Sequence, residues 1–299
     1  MQIESPNIPL QPVNDTITKN TGIHLFVLRT DLNHPHISGN KLFKLKYNLI
    51  EAKKQEKKTL LTFGGAFSNH IAATAASGKE YGFKTIGIIR GDKHQELNPT
   101  LKFATNCRMH LHYVSRTLYQ NKKELYQYIN QQFSKHNFYL IPEGGSNEAG
   151  VLGCKEIIKN IPVNFDHICC PCGTGATLSG ILLSLKKNQK VIGFQVLKAE
   201  NYIQHEVTKW LTNFNHSLQN NWIINEDHHF GGYAKIKPEL IDFIDRFEKE
   251  NNIPLDKIYT GKMMFGIYHL IESGYFKKGE IIIAIHTGGL QGNAGFLNK

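Results

Sequence analysis

Hydrophobic positions along the chain follow two alternating periods. Short runs of β-branched, aliphatic and aromatic residues have the length of buried strands, whereas the longer stretches between them repeat apolar residues every three or four positions, as one face of a helix does. The predicted strands are residues 59–63, 85–89, 167–170, 191–196 and 281–285. The predicted helices are residues 41–56, 68–81, 97–107, 119–134, 147–159, 175–187, 201–213, 237–250 and 261–273. Strands and helices in alternation predict right-handed crossovers and parallel sheets with helices on both faces, which is an α/β fold.

Two segments rich in glycine and small polar residues stand where a predicted strand gives way to a helix. Residues 64–70 follow the strand at 59–63, and residues 172–177 follow the strand at 167–170. The carboxyl ends of parallel strands form the edge at which open α/β sheets bind ligands. We therefore expect the binding site of this protein to include both segments.

The second segment has the composition of a phosphate-binding turn. Gly173 and Gly175 permit a tight turn and the close approach of a ligand, while Thr174 and Thr177 add hydroxyl donors. The helix that follows directs free N–H groups to the same point. The segment lacks the terminal lysine of a Walker A loop and the third glycine of the dinucleotide fingerprint. A glycine-rich turn without any ligand explains the same residues equally well.

In the first segment, Ser68, Asn69 and His70 place three polar side chains at the first turn of a predicted helix. Either Ser68 or Asn69 can act as an N-cap that only satisfies backbone amides. Alternatively, these side chains and the exposed N–H groups of the turn can bind a substrate carboxylate. The residues of the segment by themselves leave both interpretations open.

Lys41 directly follows a glycine-containing turn and begins an amphipathic helix whose apolar face starts at Leu42. Its amine is therefore expected near the edge of the core. A lysine in a poorly hydrated cleft loses part of its preference for the charged form, and a neutral amine is what attacks an aldehyde to form a Schiff base. The alternative is an ordinary solvated lysine.

The chain of 299 residues carries a formal charge of +10. Its basic residues are scattered over different predicted helix ends and loops, with no stripe that also carries aromatic residues, so we expect no nucleic-acid partner. Such a charge also suits small anionic substrates or a phosphorylated cofactor. The sequence has neither an apolar stretch of about 18 residues nor an N-terminal signal pattern. We therefore expect no membrane partner and a cytoplasmic location.

The five cysteines are an odd number, and three of them crowd into residues 169–172 without the paired spacing of a zinc site. We interpret them as reduced residues that pack in the core. His110 and His112 would share one face of a strand, but no further ligand is identifiable. We therefore predict no metal site.

Six motifs, in one order along the chain, together resemble a known family. They are Gly39-Asn40-Lys41 with Lys44, Leu45 and Tyr47; Phe63-Gly64-Gly65 with Ser68-Asn69-His70; Pro142-Glu143-Gly144-Gly145-Ser146-Asn147; Gly173-Thr174-Gly175-Ala176-Thr177; Tyr259-Thr260-Gly261-Lys262; and His286-Thr287-Gly288-Gly289. In these motifs the chain resembles the pyridoxal-phosphate (PLP) enzymes of the tryptophan-synthase-β fold group. Within that group it resembles the branch that holds 1-aminocyclopropane-1-carboxylate (ACC) deaminase and D-cysteine desulfhydrase.

The resemblance implies an architecture of two three-layer α/β/α domains with mainly parallel, twisted sheets. A large PLP-binding domain would comprise residues 1–44 and 143–299, and a smaller inserted α/β domain would comprise residues 45–142. The cofactor would lie between the two domains. Family members are commonly homodimers, so the resemblance also implies a homodimer.

The resemblance further implies roles for individual residues. Lys41 matches the lysine that carries the cofactor. The other cofactor-binding positions are Asn69 at the ring hydroxyl, Thr287 at the ring nitrogen, and Gly173, Thr174, Gly175, Ala176 and Thr177 at the phosphate. The substrate-binding positions are Ser68, Asn69 and His70, and the catalytic positions are Lys41, Ser68, Tyr233 and Tyr259. Without the flanking motifs, both tyrosines would be interpreted as buried core residues.

The choice of substrate depends on two positions at which the two branch members differ. By resemblance, ACC deaminases carry a glutamate where this chain has Thr260 and a leucine where it has Thr287. A hydroxyl at the ring nitrogen would leave the ring neutral, and a neutral ring is a milder electron sink that suits β-elimination. D-cysteine is therefore the expected substrate, with ACC as the alternative. A PLP-binding protein with little turnover is the alternative from a different functional class.

Overall fold

The computed structural model describes residues 7–93, 95–217 and 221–296. These residues form ten strands, β1 (Leu10–Pro12), β2 (His24–Leu28), β3 (Thr59–Gly65), β4 (Lys84–Arg90), β5 (Met109–Val114), β6 (Phe138–Leu140), β7 (His167–Cys172), β8 (Lys190–Gln195), β9 (Trp222–Asn225) and β10 (Ile281–Ile285). The helices are α1 (Thr16–Thr21), α2 (Asn40–Lys54), α3 (Asn69–Tyr81), α4 (Pro99–Asn106), α5 (Arg116–Gln120), α6 (Lys122–Gln132), α7 (Glu148–Cys154), α8 (Ala176–Leu182), α9 (Tyr202–Asn213), α10 (Pro238–Asn251) and α11 (Thr260–Glu272).

The strands form two sheets in which parallel pairing dominates. One sheet has the order β1-β2-β10-β7-β8-β9 and the other the order β5-β4-β3-β6. All neighbours in the four-stranded sheet are parallel. In the six-stranded sheet, β1 runs antiparallel to β2 and the other described pairs are parallel. The predicted α/β class with mainly parallel sheets is confirmed.

Both faces of the central strands are buried, which explains their unbroken apolar runs. Along β10, Ile282 and Ala284 belong to a hydrophobic cluster with α10 and α11, whereas Ile283 and Ile285 belong to a second cluster with α8 and α9. Successive side chains of a strand point in opposite directions. A strand covered by helices on both faces therefore needs an apolar residue at every position.

The five predicted strand runs are β3, β4, β7, β8 and β10. Strands β1, β2, β6 and β9 were not predicted, and β5 was anticipated only as the strand face shared by His110 and His112. β6 and β9 have only three and four residues and are partly exposed. Each lies at an edge of its sheet, where one side of a strand needs no apolar partner. β2 was missed although most of its residues are buried.

Three predicted helices differ in extent from the observed ones. The helix predicted at 119–134 is divided into α5 and α6 at Asn121, whose side chain accepts a hydrogen bond from the backbone N–H of Glu124 and thereby caps α6. The helix predicted at 147–159 ends as an α-helix at Cys154 and continues as a 3-10 helix to Asn160. The helix predicted at 175–187 ends at Leu182.

The two sheets come from different parts of the chain. The four-stranded sheet uses residues 59–140, and the six-stranded sheet uses strands on both sides of that stretch. Helix α2 runs without a break across residue 44 and packs against both α7 and α3. It therefore connects the layers around the two sheets, while the domain boundaries after residues 44 and 142 stay a prediction.

All five cysteines are free and buried. Cys169 belongs to one of the clusters flanking the six-stranded sheet, while Cys154, Cys170 and Cys172 belong to the other. Their interpretation as packing residues is confirmed. Over residues 7–93, 95–217 and 221–296, no helix has the length and apolar character needed to cross a membrane.

Candidate active site

A cavity of about 540 Å³ lies between the two sheets. Its wall includes the start of α2, the segment from Gly65 to His70 after β3, the segment after β7, and Thr287 and Gly288 after β10. These strand ends are the carboxyl ends of parallel strands, so the cavity lies where open α/β sheets bind ligands. Both glycine-rich segments singled out in the sequence line the same cavity.

Lys41 is the second residue of α2 and lines this cavity. Its Nζ donates to Oδ1 of Asn40 at 2.7 Å, and Nδ2 of Asn40 donates to Oγ1 of Thr177 at 2.9 Å. The backbone N–H of Asn40 also donates to the carbonyl oxygen of Thr287 at 3.2 Å. This chain of hydrogen bonds joins the start of α2 to the first turn of α8 and to the end of β10.

The turn before Lys41 requires glycine at position 39. Gly39 has a φ of +71°, and a Cβ atom there would lie 1.9 Å from the backbone oxygen of Thr287. A side chain would therefore push α2 away from the end of β10. The close backbone approach places the amine of Lys41 inside the cavity.

The amine of Lys41 is easier to deprotonate than that of an ordinary lysine. Burial, and next the charge of Lys44, lower its pKa to about 7. Near neutral pH about half of the Lys41 amines are therefore neutral and nucleophilic. This supports the prediction that Lys41 reacts with an aldehyde.

Lys44 is a second cavity lysine to which sequence reasoning assigned no function. It is 3% exposed, lies one helical turn after Lys41, and its pKa is lowered by burial. Its Nζ donates to the carbonyl oxygen of Gly144 at 3.1 Å, and among the described residues no carboxylate forms an ion pair with it. A buried ammonium group with one such bond retains N–H donors for an anion. Its spacing of three residues from Lys41 was the sequence feature that could have placed it on the same side of the helix.

The segment from Gly173 to Thr177 enters α8 through a left-handed residue. Gly175 occupies the N-cap position of α8 and has a φ of +75°, a conformation that favours glycine. Gly173, Thr174, Gly175 and Thr177 line the cavity, whereas the side chain of Ala176 is fully buried and does not. Backbone and hydroxyl donors are thus concentrated at one end of the cavity.

Ser68 is the N-cap of α3 and also lines the cavity, so the cap does not exclude contact with a ligand. Its Oγ accepts a hydrogen bond from the backbone N–H of Ile71 at 3.3 Å and so caps α3. Asn69 follows Ser68, and its Oδ1 atom is buried without a hydrogen-bond partner in the described structure. Because a buried amide oxygen without a partner is costly, Asn69 is available to a bound ligand.

His70 is 2% exposed and lines the cavity together with Ser68 and Asn69. Its Nε2 lies 2.8 Å from Oγ1 of Thr62, which itself donates to the carbonyl oxygen of Ile141 at 2.9 Å. Burial, and then the charges of Lys41 and Lys44, hold the pKa of His70 well below its usual value. The imidazole is therefore neutral.

Tyr259 and Tyr233 meet at the cavity wall, with ring centroids 6.1 Å apart and ring planes at 71°. Desolvation at the cavity wall raises the pKa of both phenols, that of Tyr259 most strongly. Both hydroxyls therefore carry their protons at neutral pH. The proximity of these two rings, 26 positions apart in the chain, was not evident from the sequence.

Asp256, which sequence reasoning missed, holds Tyr259 in place. Its carboxylate is 1% exposed. Oδ1 accepts hydrogen bonds from the backbone N–H groups of Ile258 and Tyr259 at 2.9 and 2.7 Å. Oδ2 accepts from the N–H and the hydroxyl of Thr260 at 2.9 and 2.6 Å. An acidic residue at a helix start is stabilised by the free N–H groups there.

The two threonines that entered the choice of substrate lie in different environments. Thr287 lines the cavity at the end of β10. Thr260 is fully buried, donates its hydroxyl to Asp256, and is not part of the cavity wall. Thr287 can contact a ligand directly, whereas Thr260 contacts Asp256.

The histidines that shared a predicted strand face do not form a metal site in the described residues. His112 lies 2.9 Å from the hydroxyl of Tyr128 and packs edge-on against Phe133. Within residues 7–93, 95–217 and 221–296, no group of three or more histidine, cysteine or acidic residues could hold a metal ion.

Comparison with known proteins places the whole chain in one group. A family profile described as "Pyridoxal-phosphate dependent enzyme" matches residues 5–288. The chain is 32% identical to a Pyrococcus furiosus protein named "Putative 1-aminocyclopropane-1-carboxylate deaminase", over 95% of this chain and 90% of that protein. It is 29% identical to the Arabidopsis thaliana protein named "Bifunctional D-cysteine desulfhydrase/1-aminocyclopropane-1-carboxylate deaminase, mitochondrial", over 91% and 73% of the two chains. A crystal structure of an ACC deaminase homologue superposes with a TM-score of 0.83 at 26% identity, covering 99% of this chain and 93% of the other.

Proposed function

This chain belongs to the pyridoxal-phosphate dependent enzymes, as an ACC deaminase-like member, and we propose that its reaction is the β-elimination of D-cysteine. In this reaction D-cysteine and one water molecule give pyruvate, ammonia and hydrogen sulfide. The proposal depends on one observation: which polar and charged side chains the cavity wall contains besides Thr287. Among the described residues of that wall, Glu143 is the only carboxylate.

Glu143 is engaged by other residues of the protein. Its Oε1 accepts a hydrogen bond from the hydroxyl of Tyr119 at 2.7 Å, and its Oε2 forms an ion pair with Lys122 at 3.1 Å. The hydroxyl of Thr287 thus remains as the polar side-chain group that the described cavity wall has at the end of β10. A hydroxyl beside the cofactor ring leaves the ring nitrogen neutral, and this favours elimination of a β-substituent over opening of a cyclopropane ring.

The cavity residues fit the cofactor. Lys41 supplies an amine with a pKa of about 7, and the partnerless Oδ1 of Asn69 supports a contact with the ring hydroxyl. The donors at 173–177, together with the ammonium group of Lys44, suit a phosphate. When bound, PLP withdraws electrons from the α carbon of an attached amino acid, so that its α hydrogen can leave as a proton.

The remaining chemistry belongs to the side chains. In the proposed reaction Lys41 takes the α proton, since its amine is partly neutral near pH 7. Ser68, the neutral imidazole of His70 and the N–H groups at the start of α3, where Asn69 lies, surround the substrate carboxylate. Tyr233 and Tyr259 are protonated phenols, so either can donate a proton to the departing thiolate when the C–S bond breaks.

The test measures the products from both cysteine enantiomers and from ACC with the PLP-loaded protein. We expect sulfide and pyruvate in equal amounts from D-cysteine, and less 2-oxobutyrate from ACC. Two variants examine Thr287: Thr287→Val removes the hydroxyl at similar volume and should lower sulfide release, whereas Thr287→Ser keeps the hydroxyl and should retain it. Cofactor binding without any of these products would instead indicate a PLP-binding protein with little turnover.

ACC deaminase is the second candidate function. It is favoured by the names of two relatives, from Pyrococcus furiosus and Arabidopsis thaliana, the second of which carries both activities in its name. Dominant release of 2-oxobutyrate from ACC would select this function over the first.

We also propose a homodimer and a cytoplasmic location. The dimer rests on the family resemblance, and light scattering should give twice the mass of the 299-residue chain. Cell fractionation tests the location.

A further inference from the structure

Lys262, in the first turn of α11, is a buried lysine outside the cavity. Its side chain is 1% exposed, and among the described residues no carboxylate forms an ion pair with it. Its Nζ donates instead to the carbonyl oxygens of His229 and Gly232 at 2.8 and 2.7 Å. Burial lowers its pKa to about 8, although the charge of Asp256 opposes this. Because burying an ammonium group is costly, these two bonds are the main compensation for its position.

The two carbonyl groups belong to a turn, residues 229–234, with an unusual backbone. Four of its residues have positive φ: +54° at Phe230, +98° at Gly231, +117° at Gly232 and +54° at Ala234. Residues other than glycine rarely adopt this region, and they do so where surrounding contacts impose it. The Lys262 ammonium group, which bridges the start and the middle of the turn, is such a contact.

The turn carries Tyr233 to the cavity wall. Tyr233 and Ala234 both line the cavity, whereas Lys262 does not. Tyr233 is 43% exposed, so neighbouring side chains enclose it only partly. Its position therefore depends on the conformation of the 229–234 turn more than on side-chain packing.

The same helix start also carries the second tyrosine. Tyr259 is the N-cap of α11, and Lys262 follows it by three positions, about one helical turn. Tyr259 is thus held directly by the helix, while Tyr233 is held through the two carbonyl groups that Lys262 binds. The distance of 6.1 Å between the two ring centroids therefore depends on the helix start and on the turn.

We propose that Lys262 is a positioning residue for Tyr233: it holds the 229–234 turn so that the phenol stands against Tyr259 at the cavity wall. Lys262 touches neither substrate nor cofactor and acts through the turn. The catalytic consequence rests on the proposed function, in which a tyrosine donates a proton to the leaving thiolate.

The first experiment separates positioning from general stability. Lys262→Met keeps the aliphatic stem and removes all donors, and Lys262→Gln, of similar shape, keeps two N–H donors one bond short of the native position. For the Met variant we expect kcat for sulfide release to fall on the order of tenfold, with KM and PLP affinity unchanged and a smaller loss for the Gln variant. In a Tyr233→Phe background, Lys262→Met should have no further effect. The full loss in that background, or unchanged kcat in the Tyr233-containing protein, overturns the proposal.

The second experiment does not depend on turnover. Hydrogen exchange followed by mass spectrometry should show faster exchange in the peptide that covers 226–236 of the Met variant, with α11 and both sheets unchanged. Unchanged exchange in this peptide, or faster exchange everywhere, contradicts the proposal. If the wild-type protein releases neither sulfide nor 2-oxobutyrate, the proposed function fails, but the exchange result still decides whether Lys262 holds the turn.

A third variant applies if Lys262→Met does not fold. Gly231→Ala strains the same turn, since position 231 has a φ of +98°, while the added Cβ meets only Lys235 at 3.6 Å. Both bonds of Lys262 can remain. If the strain loosens the turn, exchange in the 226–236 peptide should become faster and kcat should fall selectively, and if Lys262 still holds the turn, both should be unchanged; a change in one without the other contradicts the proposal.

Discussion

The hydroxyl of Thr260 donates a hydrogen bond to Oδ2 of Asp256 over 2.6 Å, and the backbone N–H of Thr260 bonds to the same oxygen at 2.9 Å. Both residues are buried, at 0% and 1% exposure. Thr260 therefore faces the carboxylate that holds Tyr259 and does not face the cavity. Replacing Thr260 by the glutamate expected of ACC deaminases would place a second carboxylate next to the buried carboxylate of Asp256.

Thr260→Glu should lower the free energy of unfolding by more than about 3 kcal/mol, because two buried carboxylates repel and the Asp256 carboxylate loses a donor. Thr260→Ser keeps the hydroxyl and should cost much less. Denaturant unfolding measures both. Adding Asp256→Asn to the glutamate variant should recover part of the loss. Equal stability of the Glu and Ser variants would show that the glutamate finds another environment.

Lys41→Ala should abolish covalent attachment of PLP and with it turnover, since the other lysine of the described cavity wall, Lys44, is bonded to the carbonyl oxygen of Gly144. Borohydride reduction followed by peptide mass mapping should locate the label on Lys41 in the wild-type protein. Lys54→Ala, at the exposed end of the same helix, is the matched control and should label normally. Label recovered on another lysine would refute the assignment.

Cofactor capture by the apoprotein should depend on pH through the Lys41 amine, whose pKa is about 7. The neutral amine reacts, so the capture rate should rise with pH, fall about tenfold per unit well below 7, and level off above it. Lys44→Met removes the positive neighbour that helps to lower this pKa, and the midpoint should move to higher pH. Stopped-flow absorbance gives both profiles. A midpoint that is the same in both proteins would exclude Lys44 as a cause.

Gly153→Ala should destabilise the protein although alanine favours helices. A Cβ atom at position 153 would lie 1.9 Å from the backbone oxygen of Phe43, where α7 packs on α2. The gain in helix propensity is about 1 kcal/mol, whereas forcing two packed helices apart costs about 1–3 kcal/mol or more. We expect a net loss in denaturant unfolding, together with weaker PLP binding because Phe43 lies two residues after Lys41. Leu152→Ala, on the exposed side of α7, is the control. A stabilised Gly153→Ala protein would mean that α2 and α7 separate readily.

Much of the fold was evident in local patterns. The alternation of buried strand runs with helical periods predicted the parallel sheets, because a strand covered on both faces must be apolar throughout, as β10 is. The turn before Lys41 and the segment at 173–177 were recognisable because tight backbone turns select glycine within a few residues. The residues expected around the ligand, apart from the side chain of Ala176, line one cavity, and the roles assigned to them stay predictions.

The sequence by itself thus determined the class of fold and the ligand-binding edge, since each follows from interactions between residues close together in the chain, and it pointed to Lys41 through the family resemblance. Only the tertiary structure decided that Thr260 faces Asp256, that Lys44 is buried beside Lys41, and that Lys262 donates hydrogen bonds to the turn before Tyr233. Some of these contacts join residues whose spacing in the chain follows no recognisable pattern. Others depend on which side of the first helical turn is buried by the rest of the protein. A buried polar group has lost its hydrogen bonds to water and must find a partner within the protein. Which partner lies within reach depends on how elements distant in the chain pack together.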